Sequence, residues 1–178
     1  MKKVILFLIS VVCIVTCMVG FTACGEKETL TYTEFTDPYE KDEFGWDITG
    51  YSVKAANTDI SGDIIIPATY NDKKVIAVAS NGFANCSKIT SVTVPENVTL
   101  ISTNAFDGCN DNLTINLPST IKTINITPAI KSFPKTINYN GTYAEWKKIT
   151  MFYVCYSSRT IVNLLDGSII NNQFNKAE

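Results

Sequence analysis

NGFANCSKITSVTVP (Asn81–Pro95) is restated 23 residues later as NAFDGCNDNLTINLP (Asn104–Pro118). Phe83 and Phe106 hold that spacing, as do Cys86 and Cys109, Val92 and Ile115, Val94 and Leu117, and Pro95 and Pro118. The register continues past each proline. Val75, Val98 and Ile121 form one column, and Val78, Ile101 and Ile124 form another. A unit this short cannot bury its apolar side alone, whereas stacked units bury a continuous column. Within a rung, Val92 and Val94 point one way and Ser91 and Thr93 the other, because side chains alternate along a strand. Pro95 and Pro118 end their strands, since proline cannot donate to a ladder. Stacked strands lie about 4.8 Å apart, so like residues recur above one another and Phe83 can stack on Phe106. An earlier partial copy, DIIIP (Asp63–Pro67), precedes an insertion, YNDKK (Tyr70–Lys74). A later one, TINYN (Thr136–Asn140), lacks the proline and slips by one residue. The expectation is a right-handed, β-rich solenoid of about four short rungs, with brief helical turns near Phe83 and Phe106.

The stretches AVASNGFANCSKITSVTVP (Ala77–Pro95) and TLISTNAFDGCNDNLTINLP (Thr99–Pro118) resemble the BspA-type leucine-rich repeat. They carry its pattern of apolar-x-x-Ile, Ala-Phe, Gly-Cys, then apolar-x-Ile-Pro. TINYNGTYAEWKKIT (Thr136–Thr150) resembles the closing unit of such proteins, which often continue to a strand ending in Cys-x-Asp-Gly; in TIVNLLDGSI (Thr160–Ile169), Leu164 stands where that cysteine would be. The resemblance spans about Gly45 to Ile169. It implies a BspA-like leucine-rich-repeat solenoid over 44–139, capped at both ends, with a C-terminal capping unit and tail over 140–178. It also implies a role in adhesion to host proteins and to other bacteria.

The chain opens with MKK and an apolar run from Val4 to about Phe21, a charged segment and hydrophobic segment of secretory type. FTACG (Phe21–Gly25) resembles a bacterial lipoprotein processing site, with small Thr22 and Ala23 before Cys24. The resemblance implies a lipoprotein signal peptide over 1–23, lipid attachment at Cys24, and a protein held outside the cell on the bacterial membrane. Ordinary secretory cleavage and an uncleaved membrane anchor are the competing readings. GEKET and DPYEKDE make residues 24–43 polar and acid-rich, expected as a tether with a possible strand at Leu30–Phe35.

Removal of Lys2 and Lys3 takes the 15 lysines and arginines to 13 against 17 acids, a net charge of −4. That balance argues against nucleic acid as a partner. The chain has no histidine, which excludes Ser-His-Asp and Cys-His nucleophiles and histidine metal ligands. Six cysteines are present. Cys13 and Cys17 lie in the signal, and Cys24 would carry lipid. Cys86, Cys109 and Cys155 remain, an odd number that cannot close a disulfide framework. Cys86 and Cys109 sit on adjacent rungs, within reach of a bridge. The alternative, two buried thiols packing as small hydrophobes, is preferred. Two sulfurs cannot complete a tetrahedral metal shell. Cys155 is read as core or as an exposed thiol.

Two acid pairs, Asp107 with Asp111 and Glu40 with Asp42, fall in turn-like stretches rather than one cleft, so no acid–base pair is assigned. No phosphate-cradling glycine loop occurs. DGSI (Asp166–Ile169) reads as a hairpin turn. Neither a metal nor a cofactor is expected, and the chain is expected not to be an enzyme. The strongest functional feature is the outward stripe of the stacked strands. One column runs Asp63, Ser91, Thr114, Thr136 and the next Ile65, Thr93, Asn116, Asn138. This hydroxyl and amide array suits hydrogen bonding to an extracellular protein or glycan, although a solvated sheet face would look the same. Trp146 reads as a plug for the open end of the solenoid, with Trp46 and Tyr51 doing the same at the other end. The function expected is a non-catalytic surface lipoprotein whose repeat face binds partners. The alternative is a glycan- or solute-binding envelope lipoprotein with an aromatic pocket at Tyr139, Tyr143 and Trp146.

Overall fold

The computed structural model describes residues 29–125, 134–152 and 160–177. The expected signal segment, Cys24 and Cys155 lie outside the described residues. In chain order the elements are β1 (Leu30–Lys41), β2 (Asp47–Ala55), β3 (Ser61–Ile65), β4 (Thr69–Tyr70), β5 (Lys73–Val78), β6 (Lys88–Thr93), β7 (Leu100–Ile101) and β8 (Thr114–Leu117). There follow β9 (Thr123–Asn125), β10 (Thr136–Tyr139), the one-turn helix α1 (Tyr143–Trp146), β11 (Thr150–Phe152), β12 (Ile161–Leu164), β13 (Gly167–Ile170) and β14 (Gln173–Lys176).

These strands form two sheets. The first runs β1-β2-β5-β7-β9-β11, with β4 paired to β5 as a short hairpin. The second runs β3-β6-β8-β10-β12-β13-β14. Each turn of the chain contributes one strand to each sheet. The insertion YNDKK is the β4–β5 hairpin, whose turn residues Asn71 and Asp72 both have positive φ, as a two-residue hairpin loop demands.

The apolar columns meet between the sheets. Ile64, Val92, Ile115, Ile137 and Val162 lie in direct register across five parallel strands of the second sheet, and all are buried. Val78, Ile101 and Ile124 form the facing column of the first sheet. Phe83 and Phe106 stack with ring centroids 5.5 Å apart and planes inclined by 12°. Rung is tied to rung through the backbone: Phe83 N–H donates to the Ala105 carbonyl at 2.7 Å and Asn85 N–H to that of Asp107 at 2.7 Å.

The segments around Phe83 and Phe106 are turns, not helices. Ala84 N–H donates to the Asn81 carbonyl and Asp107 N–H to that of Asn104, but Asn81, Asn85 and Asn104 have positive φ. A left-handed residue breaks a right-handed helix before it can propagate, and asparagine tolerates that conformation better than most residues.

At the N-terminal side the stretch expected as a tether carries β1. This strand pairs antiparallel with β2 from Leu30↔Ala55 to Thr36↔Thr49, and pairing returns after an irregularity at Lys41↔Asp47. Beyond Thr36 it lies over the outer face of the first sheet. The Asp37 side chain, 2% exposed, accepts from the backbone N–H of Tyr39 and Glu40 at 2.9 and 3.2 Å. Its second oxygen accepts from the Thr99 hydroxyl at 2.9 Å. Further along, Lys122 Nζ donates to Glu40 at 2.8 Å and the Asn125 amide to the Tyr39 hydroxyl at 3.3 Å. Beneath, Ala77, Leu100 and Thr123 form one registered column of the first sheet and are buried. An arm of chain thus shields a face that a bare solenoid would expose. Asp37→Ala removes the acceptor for two backbone donors and one hydroxyl. It is expected to lower the unfolding free energy by about 2–3 kcal/mol in urea titrations, and Asp37→Asn, which keeps one oxygen, by less.

Trp46 does not plug an end. It is 72% exposed, beside Phe44 at 76%, in the tight turn joining β1 to β2, where Asp42 accepts from both backbone N–H groups. The turn carries it past the body of the protein. Tyr51 packs against the core within a ring cluster: Tyr32 and Tyr70 stack at 4.0 Å, and Tyr51 meets Tyr70 edge-on at 5.1 Å.

Candidate functional site: the outward face of the repeat strands

Five strands place the outward side chains of the second sheet. The register aligns Asp63, Ser91, Thr114, Thr136 and Ile161 in one column and Ile65, Thr93, Asn116, Asn138 and Asn163 in the next. Ser91, Thr93, Thr114, Asn116, Thr136 and Asn138 are all half-buried, as expected where flanking strands cover each side chain and only its tip meets solvent.

The second column is a hydrogen-bonded ladder. The Asn116 amide donates to the Thr93 hydroxyl at 3.0 Å, the Asn138 amide to the Asn116 carbonyl oxygen at 2.8 Å, and the Asn163 amide to the Asn138 oxygen at 2.8 Å. One N–H and one lone pair per asparagine serve the ladder, and its side-chain amide has a second of each. The ladder therefore orients a row of donors and acceptors toward solvent at strand spacing. Asn163 was not in the sequence-derived column. Aligning TIN at Thr136 with TIVN at Thr160 by their Thr-Ile pairs sets Asn138 against Val162, whereas the sheet pairs Thr136 with Ile161 and Asn138 with Asn163.

The first column begins with a small acidic node. Asp63 accepts from the Ser91 hydroxyl at 2.6 Å and the Thr90 hydroxyl at 2.7 Å. Those bonds, Ser91 first, hold its carboxyl below the usual aspartate range. Next to it Ile65 is 73% exposed, so the face opens with an apolar residue at the edge strand and continues polar.

The remaining singled-out residues are structural in their contacts. Cys86 and Cys109 are buried free thiols. The Cys109 thiol donates to the Phe83 carbonyl at 3.0 Å, and burial, with the Cys86 sulfur adding to it, pushes its pKa up to about 12. Burial raises that of Cys86 also. Thiol chemistry needs the thiolate, so the native protein at pH 8 is expected to leave both unalkylated by iodoacetamide, while unfolded chain reacts fully. A mass shift at either position without unfolding would contradict this. With the Cys109 pKa raised in the fold from 9.0 to about 12, its share of stability is intact below pH 9. It declines as pH rises toward 12, where the unfolded chain sheds the proton first.

Pro118 is buried and Pro95 half-buried at the ends of their strands, each carbonyl accepting from the residue three on. Trp146 is buried and meets the Tyr139 ring edge-on at 5.2 Å. The capping helix is held by Thr142 and Glu145, each bonding the other's backbone, and those bonds lower the Glu145 pKa, the Thr142 backbone N–H first. Tyr143 turns away to stack on Phe174 at 4.1 Å, so Tyr139, Tyr143 and Trp146 do not enclose one aromatic pocket. Of the acids considered as pairs, Glu40 is bonded to Lys122 and Asp42 caps its own turn. Asp107 is half-buried in the second repeat turn and Asp111 is exposed. Among the described residues no cluster of three cysteine, aspartate or glutamate side chains could hold a metal ion, and no helix is long and apolar enough to cross a membrane.

The model of the BspA type leucine rich repeat region matches residues 63–162, in six copies. The chain belongs to the BspA-type leucine-rich repeat family. Comparison with curated proteins finds no match. Among solved structures, the BspA-type chain is similar to a leucine-rich repeat protein from Bacteroides ovatus ATCC 8483, with 22% identity and a TM-score of 0.36. The similarity covers 76% of this chain and 36% of that one, so this chain spans about a third of that relative's length.

Proposed function

We propose that this BspA-type protein is a non-catalytic binding module, displayed outside the cell by a lipid on Cys24, which engages a partner protein through the outward face of its second sheet. The observation that carries the reading is the Thr93–Asn116–Asn138–Asn163 ladder. A partner meeting this face finds polar groups already oriented, so little side-chain entropy is lost on binding. Family membership supports the same reading, since leucine-rich repeats commonly mediate protein binding. Adhesion to host or bacterial surface proteins is the specific role that fits.

Binding of the protein to a panel of extracellular proteins tests it. Thr114→Lys and Thr136→Lys each place a long charge in the middle of the face without removing a rung of the ladder. Either is expected to weaken saturable binding at least about tenfold, the effect of about 1.4 kcal/mol, with unfolding temperature little changed. Undiminished binding by both variants would rule the face out. The anchor has its own test, since globomycin should cause precursor to accumulate and Cys24→Ala should abolish lipidation. Processing indifferent to both would leave the protein secreted free or held by its uncleaved segment.

A further inference from the structure

Where the arm, the last rungs and the capping unit meet, the surface folds into a cavity of about 260 Å³. Its wall is drawn from distant parts of the chain. Glu40 comes from the arm, Ser119, Ile121 and Lys122 from the connection into β9, and Tyr139 from the end of β10. Glu145, Lys148, Ile149 and Thr150 come from the capping unit and the start of β11. The cavity sits at the corner between the two sheets, so its occupancy does not depend on the repeat-face reading.

Its charges balance. Glu40 is bonded to Lys122, and Glu145, already serving the helix cap, feels the Lys148 ammonium. The fixed charge of the lining is therefore two of each sign. With its charges balanced the lining gives no net attraction to an ion of either sign, and an ion that engages Lys122 or Glu40 does so at the cost of the bond between them. A neutral ligand meets no such cost. Each ammonium has three donors, so Lys122 can serve Glu40 and a ligand oxygen together. The Ser119 and Thr150 hydroxyls both donate and accept. The Tyr139 hydroxyl donates to the Ser119 carbonyl at 3.4 Å and retains its lone pairs as acceptors. Ile121 and Ile149, both buried, add apolar surface to this polar wall. Hydroxyl hydrogen-bonding groups around an apolar patch match one class of small molecule: a ring with hydroxyls on its rim and C–H groups on its face. The volume falls just under the range of about 300–1,000 Å³ typical of sites for drug-sized ligands, which limits the occupant to one ring.

We propose that this cavity binds a single neutral sugar ring, free or at the end of a glycan, with Ile121 and Ile149 against its C–H face and Lys122, Lys148 and Thr150 bonding its hydroxyls.

The test titrates the full-length protein, in a detergent without a sugar headgroup, with D-glucose and N-acetylglucosamine, and with gluconate and glucosamine as charged counterparts. Calorimetry or ligand-observed NMR gives the affinities. The expected result is saturable binding of at least one neutral sugar, with both charged compounds weaker by about tenfold or more. Lys148→Ala and Thr150→Val alter exposed side chains at the rim, so both variants should fold. Each is expected to weaken the neutral sugar about tenfold, while Lys54→Ala, on exposed β2 surface, changes nothing. Three outcomes would overturn the proposal: no saturable binding of either neutral sugar up to about 50 mM, equal or tighter binding of a charged counterpart, or sugar binding that both rim variants leave intact.

Discussion

Phe83→Ala is expected to lower the unfolding free energy of the protein by about 3–5 kcal/mol, the range for truncating a buried aromatic side chain. Phe83 is fully buried and its ring lies flat against that of Phe106. Its backbone N–H is tied to the next rung and its carbonyl accepts the Cys109 thiol. Removing the ring leaves a void shared by two rungs, and the cross-rung hydrogen bonds keep the backbone from closing it. Phe106→Ala is expected to be costly for the same reason. A double-mutant cycle between the two rings should return a coupling of about 0.5–1.5 kcal/mol, the share of the aromatic contact beyond buried area. Denaturant unfolding of the four proteins measures all of this. A loss below about 1 kcal/mol for Phe83→Ala would mean that the rungs do not share a column.

Trp146→Ala is expected to cost about 3–5 kcal/mol by the same measurement, with a different signature. Phe83 lies against the next rung through Phe106, whereas Trp146 sits in the connection between β10 and β11, where we propose that it covers an open corner of the array. Its loss would bare Tyr139, whose ring it meets, and the neighbouring Ile149, both buried now. Terminal units of a repeat array are needed because they hide the final apolar layer from water. The variant is therefore expected to bind more of a hydrophobic dye such as ANS while still folded, which Phe83→Ala should not. An unchanged dye signal would make Trp146 an ordinary core residue.

Much of this architecture was legible in the chain because it is written locally and repeatedly. The 23-residue spacing of Phe83 and Phe106, and of Cys86 and Cys109, specifies which residues stack, and strand alternation then assigns Val92 inward and Thr93 outward. What was not legible depends on a single long-range event. The stretch 24–43 has the composition of a tether, with Pro38 and several acids, and no period reveals that Asp37 will find Thr99, 62 positions away. The sugar-sized cavity needs the same event, since Glu40 reaches Lys122 across 82 positions. The helical turns near Phe83 and Phe106 stay brief because asparagine serves a left-handed turn as readily as it opens a helix. Trp46 was misassigned because a large aromatic residue is usually covered, and only the arm's path shows that this one is not.

The pairing of β1 with β2 also determines how the protein responds to force. Held through its N-terminus and gripped on its repeat face, as proposed above, the protein would be pulled at Thr29, the residue before β1. When the pull lies along β1, tension runs parallel to the strand, and the run of pairings from Leu30↔Ala55 to Thr36↔Thr49 is loaded in shear. Hydrogen bonds in that geometry must fail together rather than one by one. Past them, the buried Asp37 bonds and the Glu40–Lys122 pair pin the far end of the arm. Rupture under such a load is governed by the rate of unfolding rather than by its equilibrium, so under the proposed anchoring the arm would give the protein mechanical endurance at the N-terminal edge of its fold.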